Sequence, residues 1–416
     1  MEAKKKNKGK ITGRFKKWWK KLWRSEDSVS FNIVEVIVVV VIAILFGIIV
    51  GCILAYGKGF VRTNDSLYVQ ELVDTYEGIV DNYYDGVDEE TLVNAAINGM
   101  VGSLDDSYSY YMDENETFDF NQRVDGSYVG IGATISYSES GNSIIEIFDD
   151  SPAEKSGLQV GDIILSVGDT NVVGYQLSEL SALLIGDIDT KVKIKVLRND
   201  EEKTVTLTRG TVIIPSVNSQ VIDYAEKKIG YIDIDTFAAN TYSQFDKQLR
   251  KLEEDNIDSL IIDVRDNLGG HLSQVNKILS LFFDKKTVLY QIGTKDTTEK
   301  VYSSGKEKRD YDIVVLINYN SASASEILAS CFQENYDRAT IVGLQSYGKG
   351  TIQNAIQLST GSSLKYTTQR WLTSSGVWLD GIGVTPDEEV GQEDDLYTVL
   401  GDNDTQFRRA LAILGE

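Results

Sequence analysis

Histidine and cysteine are nearly missing from this sequence. Its 416 residues include one histidine, His271, and two cysteines, Cys52 and Cys331. A single histidine leaves a histidine-rich metal site without ligands, and any histidine-based catalysis would rest on that one residue. Cys52 falls in a long apolar run and Cys331 far downstream, which argues against an intrachain disulfide. Positive charge is scarce outside the first thirty residues. The net charge is −22, but residues 1–30 hold eleven Lys/Arg against Glu2, Glu26 and Asp27, and the rest carries −30. An acidic body repels phosphates, which excludes it as a nucleic-acid-binding surface. The 42% hydrophobic and 25% charged residues make an ordinary globular mix. The length points to two or three domains, at roughly 100–200 residues each.

What is present begins with an apolar run. Residues 31–55 are apolar except for Asn32 and Glu35, and Val36 to Ala55 carry no charge. About 20 such residues, at a rise of 1.5 Å each, cross a bilayer core of about 30 Å. The preceding segment mixes lysines with Trp18, Trp19 and Trp23. Cations hold that end in the cytoplasm, and tryptophans suit the headgroup layer. The expectation is a permanent signal anchor with the rest of the chain outside. A cleaved signal peptide fits less well, because the run is too long and no A-x-A site follows. A lipoprotein site ending at Cys52 is weakened because the run continues past the cysteine. A buried core helix fails on length and flanks. The paucity of cysteine suits a bacterial extracytoplasmic protein.

Residues 66–122 read as helical. Leu67, Val69, Leu72, Val73, Tyr76, Ile79 and Val80 recur at helical spacing, and Asp88 opens a second stripe of Leu92, Ala95, Ala96, Met100 and Leu104. Such stripes are packing surfaces within the chain or between subunits. Residues 127–209 switch to short β-rich runs with glycines at the turns. Here SPAEKSGLQVGDIILSVGD resembles the centre of a PDZ domain, and YVGIGATI is similar to its carboxylate-binding loop and second strand. That resemblance implies that Tyr128, Val129, Gly130, Ile131 and Gly132 receive a peptide's C-terminal carboxylate on backbone N–H groups while the peptide adds a strand to the sheet. Glycines at 130 and 132 permit such close approach.

From residue 211 to 390, apolar β-branched runs (KIGYIDI, SLIIDVRD, YDIVVLIN, ATIVGL) alternate with helical periodicity, an α/β layout. Three stretches carry candidate chemistry. IVVLINYN-SASASEILAS is a buried strand, a small-residue turn and a helix, which leaves a hydroxyl at a helix N-terminus suited to a developing oxyanion. Capping by Ser321, Ser323 or Ser325 is the competing reading. QSYGKGTIQ sets Lys349 between two glycines. Lysine is a base only when burial favours its neutral form, and a solvated loop lysine is the commoner case. LIIDVRDNLGGHL offers the paired Gly269-Gly270, which an ordinary turn explains equally well.

Together and in order, these segments resemble the carboxyl-terminal processing (tail-specific) proteases of peptidase family S41. The likeness runs from about residue 66 to 390 and takes in SLDDSYSYY, the PDZ segment, DVRDNLGG, NSASASEILA, GKGTIQ and LKYTTQRWLTSSGVWLDGIGVTPD. It implies Ser323 as nucleophile, Lys349 as general base and Gln353 as the residue that orients the amine. It also implies an oxyanion hole from the N–H groups of Gly270 and Ala324. Three departures stand out: a Ser-to-Lys interval one residue longer than usual, Asn267-Leu268 before the glycines, and His271 at a usually apolar position. A His271–Ser323 dyad would need an acidic orienter that the sequence does not supply.

The expected architecture is therefore multidomain α/β. It comprises a cytoplasmic basic segment (1–30), a transmembrane anchor (31–56) and a helical dimerisation region (66–125). A PDZ domain (126–210) follows, then a serine protease core of the ClpP/crotonase-like type (211–390) and a helical tail (391–416). The expected activity is serine endopeptidase action on proteins recognised by free C-termini, outside the membrane, by a homodimer with no cofactor or metal. The competing class is a catalytically inactive PDZ scaffold. A crotonase-like acyl-CoA enzyme rests on fold analogy alone.

Overall fold

The computed structural model describes residues 66–416, except 139–140, 307–308 and 393–397, together with helical positions 34, 37, 38, 40–44 and 46. The basic segment 1–30, Cys52 and most of the expected anchor lie outside the described residues. Among the described residues no helix is long and apolar enough to cross a membrane. The chain divides into two compact units, residues 1–93 and 94–416.

In the first unit, helix α1 (Leu67–Asn82) opens on Ser66, whose hydroxyl accepts the Val69 N–H. This satisfies one of the free donors of the first turn. The helical stripe is real, but it is exposed: Leu67, Val69, Leu72 and Val73 all face solvent. Helix α2 (Glu89–Gly102) follows.

In the second unit the helical reading of 66–122 is interrupted. Tyr110–Met112 form strand β1, paired antiparallel with Lys365–Ser363 far downstream, a partner that no local periodicity can announce. Helix α3 (Glu114–Asp125) then starts on a capping box between Asp113 and Glu116 and ends on Gly126 in the left-handed region. The Asn240 side chain donates to the Gly126 carbonyl at 2.6 Å, and the Ala239 N–H donates to the Val124 carbonyl. These bonds tie α3 to the later part of the chain.

The β-rich region comprises β2 (Ser127–Gly130), β3 (Ala133–Ser138), β4 (Gly141–Ile147), α4 (Pro152–Ser156), β5 (Ile163–Val167), β6 (Thr170–Asn171), α5 (Leu177–Leu184), β7 (Lys191–Arg198), β8 (Glu201–Thr208) and β9 (Gly210–Ile213). Strands β3-β4-β5-β7-β8 form one sheet, with β6 on β5. In β7, Val192, Ile194 and Val196 turn inward and Lys191 and Lys193 outward, the period-two pattern of a half-buried strand. Strands β2 and β9 pair with each other, so the chain enters and leaves this domain side by side.

The remainder is β10 (Val217–Tyr224), β11 (Lys227–Ile234), α6 (Thr241–Glu254), β12 (Ser259–Asp263), α7 (Leu272–Leu279), β13 (Val288–Gly293), β14 (Thr298–Tyr302), β15 (Asp312–Ile317), α8 (Ala324–Asn335), β16 (Ala339–Gly343), β17 (Thr351–Gln357), β18 (Ser363–Leu372), β19 (Glu388–Glu389) and α9 (Thr405–Gly415). The main sheet has the order β10-β11-β12-β15-β16-β19, parallel from β11 onward. One face, with Ile232, Ile262 and Val315, meets Phe245, Ile278 and Phe332 of α6, α7 and α8. The other, with Tyr231, Ile261 and Val314, meets Phe407 and Leu411 of α9. Cover on both faces is why these strands read as continuous apolar runs. The C-terminal helix is thus part of the core. A smaller sheet, β1-β18-β13-β14 with β17 on β18, flanks it.

Candidate active site

Three loops leave the carboxyl ends of adjacent parallel strands: one after β12, one after β15 and one after β16. That edge is where open α/β sheets hold their ligands. Ser323 stands immediately before α8 with φ 55° and ψ −110°. This conformation costs of order 1–3 kcal/mol for a residue with a Cβ and persists only where the surroundings enforce it. Here they do: a Cβ on Gly269 would lie 2.9 Å from the Ser323 Cβ and 2.7 Å from the Ala322 carbonyl oxygen. The flanking serines are tied into the fold. The Ser321 hydroxyl donates to the Val264 carbonyl at 2.7 Å and accepts the Asn318 N–H at 2.9 Å. The Ser325 hydroxyl donates to the Asn267 carbonyl at 2.8 Å. Ser323 is the N-cap residue in a capping box with Glu326, and among the described residues no bond ties its hydroxyl to a distant part of the fold, unlike those of Ser321 and Ser325.

The glycine turn is braced by Asn267, whose side chain accepts the Gly269 N–H at 2.8 Å and donates to the Ile234 carbonyl at 2.6 Å. Phe237 donates to the Gly269 carbonyl, and the His271 N–H donates to the Phe237 carbonyl. Among the described residues this leaves the N–H groups of Gly270 and of Ala324 without a protein acceptor. Gly270, at φ 145°, has no space for a Cβ, which would lie 2.4 Å from the Phe237 carbonyl oxygen. His271 is the N-cap residue of α7, and its buried Nε2 has no partner; no acidic orienter holds that nitrogen.

Lys349 lies between β16 and β17. Its flanking glycines are required by space: a Cβ on Gly348 would meet the Ile382 nitrogen at 2.8 Å, and one on Gly350 the Trp378 indole nitrogen at 2.6 Å. The Trp371 indole N–H donates to the Lys349 carbonyl at 2.7 Å. Burial pushes the lysine's pKa down to about 8, with Lys365 adding to the fall and Asp106 and Glu326 opposing it. The amine sits 4.6 Å from the centroid of the Tyr108 ring. Among the described residues no hydrogen bond joins it to Ser323 or Gln353. The Gln353 carboxamide donates instead to the hydroxyls of Thr351 at 2.9 Å and Thr367 at 3.2 Å.

Sequence reasoning missed the group that holds the site together. Glu326, fully buried in the first turn of α8, accepts the Ser323 N–H at 2.7 Å and the Lys349 N–H at 2.9 Å on one oxygen. Its other oxygen accepts the Ser346 hydroxyl at 2.6 Å and the Gly348 N–H at 2.7 Å. The signal was an acid three residues after the serine, which a capping box explains locally. Asp106 and Tyr108 were also passed over, although SLDDSYSYY was noted.

In the β-rich domain, Tyr128, Val129 and Gly130 end β2, and Ile131-Gly132 turn the chain into β3. A Cβ on Gly132, at φ 82°, would lie 2.4 Å from that of Ser151, and one on Gly130 would lie 2.5 Å from the Tyr128 ring. The Ile131 carbonyl accepts the Ala153 N–H at 2.7 Å, which anchors the loop to α4.

The chain matches three family descriptions: the activating protease CtpB N-terminal domain over residues 60–117, a PDZ domain over 146–198 and peptidase family S41 over 228–390. The PDZ match begins downstream of the 128–132 loop. The chain is 36% identical to the carboxy-terminal processing protease CtpB of Bacillus subtilis over 334 residues, 78% of this chain and 68% of that protein. It is 33% identical to a probable CtpA-like serine protease of Staphylococcus haemolyticus over 77% of this chain and 64% of that one. It therefore spans about two thirds of the length of these relatives. It is also similar to the solved photosystem II D1 C-terminal processing protease, at 27% identity and TM-score 0.47, over 83% of this chain and 91% of that one. With its glycine-braced serine and its PDZ segment, the chain belongs to the carboxy-terminal processing proteases of peptidase family S41 and is a serine peptidase.

Proposed function

We propose that this peptidase is an extracytoplasmic endopeptidase, anchored in the cell membrane by residues 31–56, and that Ser323 and Lys349 form its catalytic dyad. The observation that carries the dyad is the single buried carboxylate of Glu326, which binds the backbone N–H groups of a strained serine and of a lysine whose pKa burial lowers. Neutral Lys349 takes the Ser323 proton as the hydroxyl oxygen attacks the peptide carbonyl. The N–H groups of Gly270 and Ala324 stabilise the oxyanion. Collapse breaks the C–N bond, and the lysine gives its proton to the leaving amine. Water then hydrolyses the acyl-enzyme with the lysine again as base. Gln353 turns from Thr367 to orient the amine. The 128–132 loop receives the substrate's C-terminal carboxylate. The exposed apolar stripe of α1 supports a homodimer, and the charge asymmetry supports an extracytoplasmic location.

The test is cleavage of an unstructured protein by wild type, Ser323→Ala and Lys349→Ala. Both substitutions should abolish cleavage without changing thermal unfolding. In wild type, kcat/KM should rise with pH through about 8, because the base acts only when deprotonated. A fully active Lys349→Ala form would overturn the dyad. Wild type that stays inert even when the PDZ domain is occupied would favour the scaffold reading.

A further inference from the structure

The catalytic lysine has a wall that the dyad does not account for. Residues 106–109 lie between α2 and β1, more than two hundred positions before Lys349, and β1 pairing with β18 brings them to it. Asp106 shapes the segment. Its carboxylate accepts the Tyr108 N–H at 3.0 Å and the Ser109 hydroxyl at 2.5 Å. The Ser109 hydroxyl in turn accepts the Thr367 N–H at 3.0 Å. Thr367 is one of the two threonines whose hydroxyls hold the Gln353 carboxamide, and Asp106 reaches it through Ser109. Tyr108, half-buried, lays its ring under the Lys349 amine. One short segment thus touches both the amine and a partner of Gln353.

We propose, on the dyad reading above, that Asp106 and Tyr108 are positioning residues of the peptidase. They seat the Lys349 amine as a cation on the Tyr108 ring and yield it to Ser323 when the site becomes productive. An ammonium is drawn to the face of an aromatic ring, and Asp106 adds a negative charge nearby. The groups that face the amine divide by sign. Asp106 and the buried Glu326 favour the charged form, and Lys365 of β18 disfavours it along with burial. Tyr108 is itself kept protonated by burial, beside Tyr347 and Asp380. The seat therefore opposes burial and sets how readily the base becomes neutral. Gln353 is linked to the same segment through Thr367, one of its two present partners.

The test measures Lys349 itself, by trace acetylation with acetic anhydride across pH in the full chain carrying Ser323→Ala, where turnover plays no part. Asp106→Asn keeps the segment's hydrogen-bonding shape without its charge, and Tyr108→Leu keeps an apolar wall without the ring. Each should lower the labelling midpoint of Lys349 by roughly half a pH unit, and Tyr108→Phe should leave it at the wild-type value. In the Ser323 form, the acid limb of kcat/KM should move down by the same amount for Asp106→Asn and Tyr108→Leu. An unchanged midpoint in both variants overturns the seat and leaves the dyad standing. Activity in Lys349→Ala would instead overturn the dyad itself. A Tyr108→Phe midpoint that falls as far as that of Tyr108→Leu also overturns the seat, because the ring would then not be the acting group.

Discussion

Glu326 carries four hydrogen bonds on two oxygens with none of its surface in water. An amide in its place presents one oxygen and one NH2 group, so at least one of the four donors must face another donor. Leaving a buried donor unpaired costs about 1–3 kcal/mol, and more when the lost acceptor was charged. Glu326→Gln should therefore lower the unfolding midpoint modestly and kcat by about tenfold or more, measured side by side on purified protein. A large fall in stability with kcat per folded molecule unchanged would reduce Glu326 to a helix cap. The local pattern could not disclose this role, because Ser-x-x-Glu at a helix start already has a sufficient local explanation. For Ser323 and Lys349 the local pattern was just as ambiguous, and their roles came from the resemblance of the ordered motifs; the structure adds that the glycines beside Lys349 have no space for a Cβ.

At the scale of elements, α9 shows how an end of the chain is pinned beneath the site. Asp404 caps the helix by accepting the Phe407 N–H and binds Arg265 through both oxygens, at 2.8 and 2.9 Å. Arg265 also grips Asp263 at 2.6 Å, at the end of the strand that leads into the glycine turn. Burial raises the Asp404 pKa, but the Arg265 hydrogen bonds outweigh it, and the net displacement is downward. Removing one member of such a buried pair leaves a charge uncompensated and costs about 3–5 kcal/mol. Asp404→Ala should therefore lower denaturant stability by that amount, followed by the unfolding of the whole second unit in urea. A change below about 1 kcal/mol, the size of an exposed ion pair, would show that the network is solvated. From sequence, the alternation of strands and helices was readable because each main strand is buried on both faces. The short strand β1 and the docking of α9 were not. The first depends on a partner more than two hundred residues away, and the second hides behind acidic flanks that resemble a solvated tail.

For the molecule as a whole, acidity reaches the interior as well as the surface. Burial, with Asp263 and Asp235 close by, raises the Asp233 pKa to about 7. A carboxyl whose folded pKa lies above its unfolded value contributes stability below about pH 4 and loses it as pH rises through 7. Wild-type thermal stability should fall between pH 5 and pH 8, and Asp233→Asn should flatten that slope. An unchanged slope in the variant would place the titration elsewhere.

The chain reaches the PDZ segment and returns from it through the paired strands β2 and β9, while α3 and β1, which come before it, are bonded to the catalytic body. The recognition domain is thus spliced into the enzyme. A chain begun after residue 210 would lack Tyr108, which touches the Lys349 amine, and an edge strand of the smaller sheet, so a single cut does not separate the two domains cleanly. What lies upstream of the inserted domain therefore belongs to the same fold as the segment around Lys349.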